Sequence, residues 1–210
     1  YGAQIVDMLS VNGISPSDVR GGIFSSVVPS LDYTIEHMLR VYFGIVPLQI
    51  APGLKTGLKI RVDNAHEVGA DRVVNNVSAL KKYGCGKPMI VIDFGTATTF
   101  NILSAAGEFT GGVIAPGSLE SLASGTAKLP RVEIEAPKSV IATNTVTNMQ
   151  AGIVFGWAGL VEYIVRKIKK ELHESDVLTI ATGGFSETIA KETDCIDVID
   201  KMLTLNGLKY

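Results

Sequence analysis

Three apolar runs follow one another between Met89 and Ala115: Met89 to Asp93, Thr96 to Ser104 and Glu108 to Ala115. The breaks between them, at Phe94-Gly95 and Ala105-Ala106-Gly107, have room only for tight reversals. Consecutive strands joined in this way must lie side by side as a meander. Pro116-Gly117 closes the run. A sheet of this kind needs helices to cover it, and the flanking sequence supplies them. From Asn148 to Glu174, residues Met149, Ile153, Trp157, Leu160, Ile164, Ile168 and Leu172 form one apolar stripe at steps of three and four. Asp71 to Tyr83 has apolar residues at 73, 74, 77 and 80 and reads as a second helix.

Upstream, residues 1 to about 12 read as a helix, Gly22 to Val28 as a buried strand, Leu31 to Tyr42 as a helix and Val46 to Ile50 as a strand. A loop then runs from Pro52 to Val68. Downstream, Val177 to Thr182 reads as a buried strand and Ser186 to Glu192 as a short helix. The alternation predicts a layered α/β chain. Gly84-Cys85-Gly86-Lys87-Pro88 is the best boundary, dividing residues 1–86 from 87–210.

Composition narrows the function classes. A net charge of −2 creates no field to gather nucleic acid or an anionic membrane. The run Arg166-Lys167-Ile168-Lys169-Lys170 falls at a helix end, where cations suit the dipole. Cys85 and Cys195 are far apart and lack metal-ligand spacing, which points to a reducing cytosol, and His37, His66 and His173 form no constellation. The most apolar stretch, Ala151 to Val165, contains Glu162 and is too short to span a bilayer. The expectation is a cytoplasmic protein with neither nucleic acid nor membrane among its partners. Gly152, Gly156 and Gly159 flank the long helix's stripe, so close packing by a neighbouring element or a second subunit is expected there. The chain opens at Tyr1 already in helical spacing, so a further N-terminal segment is expected ahead of it.

The residues with chemical potential cluster in three places. At Ile90-Val91-Ile92-Asp93-Phe94-Gly95-Thr96-Ala97-Thr98-Thr99 an apolar strand delivers an aspartate into a glycine turn followed by hydroxyls. Glycine admits backbone N–H groups to phosphate, threonine hydroxyls donate to it, and the carboxylate holds a cation. A plain hairpin with a turn-capping aspartate is the alternative. At Glu67-Val68-Gly69-Ala70-Asp71-Arg72, Asp71 is either a helix cap or the carboxylate that orients an alcohol and takes its proton. Thr182-Gly183-Gly184 ends a buried strand, where a flat nucleotide base has room, or where the chain merely turns. There is no GxxxxGK[ST], no GxGxxG after a strand and no GxSxG.

Taken in order, these segments resemble a known family. Phe24-Ser25-Ser26-Val27-Val28-Pro29, Pro52-Gly53-Leu54-Lys55-Thr56-Gly57-Leu58, Gly69-Ala70-Asp71-Arg72 and Asp93 to Phe100 are followed by Gly111-Gly112-Val113-Ile114-Ala115-Pro116-Gly117. Then come Ala127-Lys128-Leu129-Pro130-Arg131-Val132, Asn144-Thr145, Gln150-Ala151-Gly152 and Thr182-Gly183-Gly184. The series is similar to the type III pantothenate kinases over essentially the whole chain.

The resemblance implies an actin-like fold of two ribonuclease-H-like halves, with ATP in the cleft between them and the N-terminal half incomplete here. It implies ATP-dependent phosphorylation of pantothenate to 4'-phosphopantothenate, the first step of coenzyme A biosynthesis. It also implies a homodimer that uses Mg2+ and a monovalent cation, K+ or NH4+. By motif, Asp71 is the proton acceptor, and Gly69, Ala70, Arg72 and Thr145 share the pantothenate site with it. Asp93 holds the monovalent cation, and Gly95, Thr96, Gly183 and Gly184 belong to the ATP site.

Three departures accompany the likeness. The family's N-terminal Asp-x-Gly-Asn-Thr phosphate loop has no counterpart in the chain, and a few residues usual between Gly117 and Ser118 are missing. Val62 stands where many members have a tyrosine that touches pantothenate. A non-catalytic accessory binding protein on the same fold is the rival expectation. A sugar or acetate kinase fits less well, because Gly69 to Arg72 matches the pantothenate family in place and order.

Overall fold

The computed structural model describes residues 1–117 and 132–210. The expectations for Ala127 to Arg131 and for the junction at Ser118 lie outside the described residues. The chain begins with α1 (Gly2–Val11), β1 (Ile23–Ser25), α2 (Pro29–Phe43), β2 (Leu48–Ile50) and β3 (Lys59–Ile60). It continues with α3 (Ala70–Tyr83), β4 (Met89–Phe94), β5 (Ala97–Leu103) and β6 (Glu108–Pro116). After α4 (Thr145–Leu172) come β7 (Leu178–Gly183), α5 (Ser186–Ala190), β8 (Val198–Ile199) and α6 (Leu203–Lys209).

Local chemistry explains the helix ends. Pro29 opens α2, where its missing N–H costs nothing, and Gly44 closes it at φ +67 with its N–H returning to the last turn. Asn144 caps α4 by accepting from Thr147 N at 3.0 Å. Lys169 and Lys170 occupy the last turn of that helix, the place anticipated for the basic run. Among the described residues, no helix is long and apolar enough to cross a membrane.

β1 and β2 pair in parallel as a small separate sheet. The anticipated strand Gly22–Val28 shortens to three half-buried residues, and Val27 and Val28 are exposed. Pro29 explains the shortening, because the chain must leave the strand to enter α2.

The main sheet has six strands in the order β3-β6-β5-β4-β7-β8. β6, β5 and β4 form the antiparallel meander, whereas β7 and β8 join β4 in parallel. Counted from β4, the order is third, second, first, fourth, fifth, with only the second reversed, which is the ribonuclease-H-like arrangement. The mixed α/β architecture is thus that of the expected actin-like class. β3, inside the segment read as a loop, pairs with the outer edge of β6.

Each face of the sheet has its own core. On one side Ile90, Ile92, Phe94 and Phe100 pack with Val154, Trp157, Val161 and Val165 of α4. On the other, Met89, Val91, Leu103, Phe109 and Ile180 meet Ala79 of α3 and Leu203 of α6. Full burial of one such side chain is worth about 1.5–3 kcal/mol, so all three helices are firmly held.

Candidate active site

Alternation along β4 turns Met89, Val91 and Asp93 to one face of the sheet and Ile90, Ile92 and Phe94 to the other. Asp93 therefore emerges on the α3 side, at the C-terminal end of its strand. α3 meets it there: Asn75 Nδ2 donates to Asp93 Oδ2 at 2.8 Å. The other oxygen, Oδ1, lies beside Gly183, which pairs with Phe94 at φ +91. A Cβ at Gly183 would stand 2.7 Å from Asp93 Oδ1 and 2.6 Å from the Phe94 carbonyl oxygen. The missing side chain at 183 thus makes room for Asp93 and β4. Gly184 is different: nothing lies within 4 Å of the place a Cβ would take.

Burial pushes the Asp93 carboxyl above its ordinary pKa; the Asn75 hydrogen bond opposes this, and the charge of Asp71 pushes the same way as burial.

Asp71 stands in the first turn of α3, whose N-cap is Gly69. Its Oδ1 accepts from Arg72 N at 2.8 Å, and a Cβ on Gly69 would approach that oxygen to 2.6 Å. The carboxylate folds over the helix start, where the dipole favours it. Arg72 turns inward: its Nε donates to Asn101 Oδ1 at 2.6 Å, and its guanidinium sits 5.2 Å from the Phe109 ring centre. Gly112 lies so close to that guanidinium and to the Phe100 carbonyl oxygen that no Cβ fits. Burial lowers the pKa of Arg72, and the neighbouring Asp71 offsets only part of that shift.

Ala70 reaches a cavity of about 240 Å3 whose walls include Pro52, Leu54, Thr56, His66 and Val68. Val62 packs against the Met89–Leu103 core. Gly95 and Thr96 form the exposed turn from β4 to β5. Gly117, just past β6, abuts the Thr96 carbonyl oxygen so tightly that a side chain is impossible there. Thr145 is exposed at the first position of α4. Among the described residues, no hydrogen bond joins it to residues 69–72.

Motif reading overlooked several residues. Asn101 and Phe109 hold Arg72, Asn75 bonds Asp93, and Thr204 of α6 donates to Asn75 Oδ1 at 2.7 Å. A signal for Asn75 does exist in the sequence. It stands four residues after Asp71, on the same helical face, in a helix whose apolar stripe alone would leave it in water.

Asp93 fits a hard cation as one ligand among several. Among the described residues no group of three His, Cys, Asp or Glu converges. A cation at Asp93 would complete its oxygen shell from phosphate, water and backbone, as hard ions at phosphate sites do.

Comparison with known proteins gives this geometry a context. The family described as type III pantothenate kinase matches residues 1–167. Among solved structures, a Baf family transcriptional activator from Campylobacter jejuni is 19% identical with a TM-score of 0.55, over 89% of this chain and 79% of that one. At that identity the likeness speaks for the fold alone. The ethanolamine utilization protein EutJ from Carboxydothermus hydrogenoformans is 17% identical, with a TM-score of 0.49 over 99% of this chain and 72% of that one. With most of its length matched, the chain belongs to the type III pantothenate kinase family.

Proposed function

We propose that the protein transfers the γ-phosphoryl group of ATP to the primary hydroxyl of pantothenate, giving 4'-phosphopantothenate, the first step of coenzyme A biosynthesis. The observation behind this reading is that α3, whose first turn holds Asp71 bonded to the Arg72 N–H, is tied to Asp93 at the end of β4 through Asn75 one turn further on.

In this reading Asp71 accepts the proton of the attacking hydroxyl as the bond to phosphorus forms in line with the leaving ADP. Arg72, held by Asn101 and Phe109, presents positive charge to the pantothenate carboxylate. Gly69, Ala70 and Thr145 shape the remainder of that site. Gly95 and Thr96 bring backbone and hydroxyl donors to the ATP phosphates, with Gly183 and Gly184 beside the nucleotide. Asp93 is the protein ligand for K+ or NH4+. When bound, that ion and Mg2+ neutralise phosphate charge. Residues 1–86 and 87–210 would be the two halves flanking the ATP cleft, although β3 crosses to the sheet of the second.

We further propose a cytoplasmic homodimer. Gly152, Gly156 and Gly159 mark where to look, since no described residue lies within 4 Å of a Cβ placed on any of them. Sedimentation of the full-length protein tests that point.

The activity is tested by incubating full-length protein with ATP, Mg2+ and pantothenate, with and without potassium. Formation of a pantothenate phosphomonoester, stimulated by potassium, is expected. A folded, ATP-binding protein that never phosphorylates pantothenate would contradict the proposal and leave an accessory binding protein on this fold.

A further inference from the structure

We infer that Thr204 and Asn75 act in series as positioning residues, holding the Asp93 carboxylate so that Oδ2 faces α3 and Oδ1 stays free for the cation. The inference rests on the reading of Asp93 as a cation ligand and adds to it a second tier of residues, one of them at the far end of the chain.

Hydrogen-bonding capacity fixes the direction of the series. An ionised carboxylate only accepts, so the Asn75 amide must present Nδ2 to Asp93. Its Oδ1 is then a buried acceptor in need of a donor, because Asn75 is 1% exposed. The Thr204 hydroxyl is that donor, at 2.7 Å. With both ends bonded, the amide has one orientation, and the carboxylate plane follows it. No donor among the described residues reaches Asp93 Oδ1, which is left beside Gly183 and Gly95 at the ends of the strands. An asparagine tethered at one end only would let the carboxylate swing, and a cation would then have to order it on binding.

α6 holds Thr204 in place by contacts that do not involve its hydroxyl. Gly207 presses against the Val74 carbonyl oxygen of α3, where no side chain fits. Just before α6, Asp200 Oδ2 accepts from Lys82 Nζ at 2.6 Å and from the Tyr83 hydroxyl at 3.0 Å. Leu203 is fully buried in the core under α3. Removing the Thr204 hydroxyl therefore leaves the helix anchored and alters only the end of the series.

The test uses Thr204→Val, Thr204→Ser, Asn75→Ala and Asp93→Asn in the full-length enzyme. Potassium is titrated in the kinase assay, the KM for pantothenate is measured separately, and potassium-dependent rise in Tm is followed without substrates. Loss of one buried hydrogen bond in the series should raise the half-saturating potassium concentration about three- to tenfold in Thr204→Val and Asn75→Ala. The pantothenate KM should stay within about twofold of wild type, and Thr204→Ser should restore the potassium response. Asp93→Asn should lose it. If Thr204→Val and Asn75→Ala respond to potassium like wild type while Asp93→Asn does not, the positioning role is overturned and the cation reading stands. If serine fails to rescue, and potassium and pantothenate constants rise together, the bond is only structural and the inference is again overturned. A wild-type potassium response in Asp93→Asn removes the cation reading itself, and the inference with it.

Discussion

Burial raises the pKa of the Asp93 carboxyl, and Asn75 pulls it part of the way back. A carboxyl whose folded pKa exceeds its unfolded one binds more protons in the folded chain at pH values between the two. Stability falls as pH rises through that window, and the full cost of the buried charge remains above it. Asp93→Asn should therefore melt at a higher temperature than wild type at pH 7 in potassium-free buffer. The gap should narrow as pH falls into the window. A variant that melts lower than wild type at pH 7 would contradict this account of the site. Asp93 could be singled out from its sequence setting, because an apolar strand ending in Asp-Phe-Gly is a local pattern. Asn75 and Thr204 could not be linked, since their bond spans 129 residues and exists only once α6 docks on α3.

At the scale of elements, the contact between α3 and the chain around α6 is the structural support of the site. Burial alone would raise the pKa of Asp200; the bonds from Lys82 and Tyr83 outweigh it and hold the carboxyl below its ordinary value. That contribution to stability is present above the unfolded carboxylate pKa and disappears as pH falls through the lowered folded one. Asp200→Asn should cost about 2 kcal/mol at pH 7, weakening charge-assisted bonds at a buried group. For a chain of this size that is a fall of roughly 4–8 °C in Tm, and the difference from wild type should vanish in strong acid. Glycines on two helices give a paired test. Gly207→Ala drives a methyl into the Val74 carbonyl and should destabilise by about 1–3 kcal/mol. Gly156→Ala, with open space around it, should stabilise the protomer by about 0.5–1 kcal/mol. Thermal melts of the two variants should move in opposite directions.

The same scale explains what the sequence revealed and what it hid. The meander from Met89 to Pro116 was legible because apolar residues fill each run and glycine marks each reversal. α4 was legible because its stripe persists through seven apolar residues at steps of three and four, from Met149 to Leu172, far beyond an ordinary strand. β3 and β8 were not, because two residues have no periodicity; they are strands only by virtue of the edges they pair with. α6 was hidden by Gly207, which reads as a breaker locally and is required by packing. The apolar run at Gly22–Val28 misled about length, because its hydrophobicity continues past the point where Pro29 starts a helix.

Across the whole molecule, the proposed chemistry lies at the C-terminal ends of central strands, with α3 bringing Asp71, Arg72 and Asn75 to it. α6 closes behind α3, so a helix whose Thr204 lies 129 residues from Asn75 supports the site. The family match covers the motifs up to Gly152, and the structure shows what residues beside them do: Asn101 and Phe109 fix Arg72, and Gly112, within its motif, leaves room for it. The central claim is that Asp71 accepts the proton of the attacking alcohol. It is tested most directly by kcat for ATP-dependent pantothenate phosphorylation in full-length wild type and Asp71→Asn, with ATP affinity measured alongside. The account predicts a fall in kcat of about 10²–10⁴ with ATP affinity unchanged. A variant that turns over at the wild-type rate would contradict it.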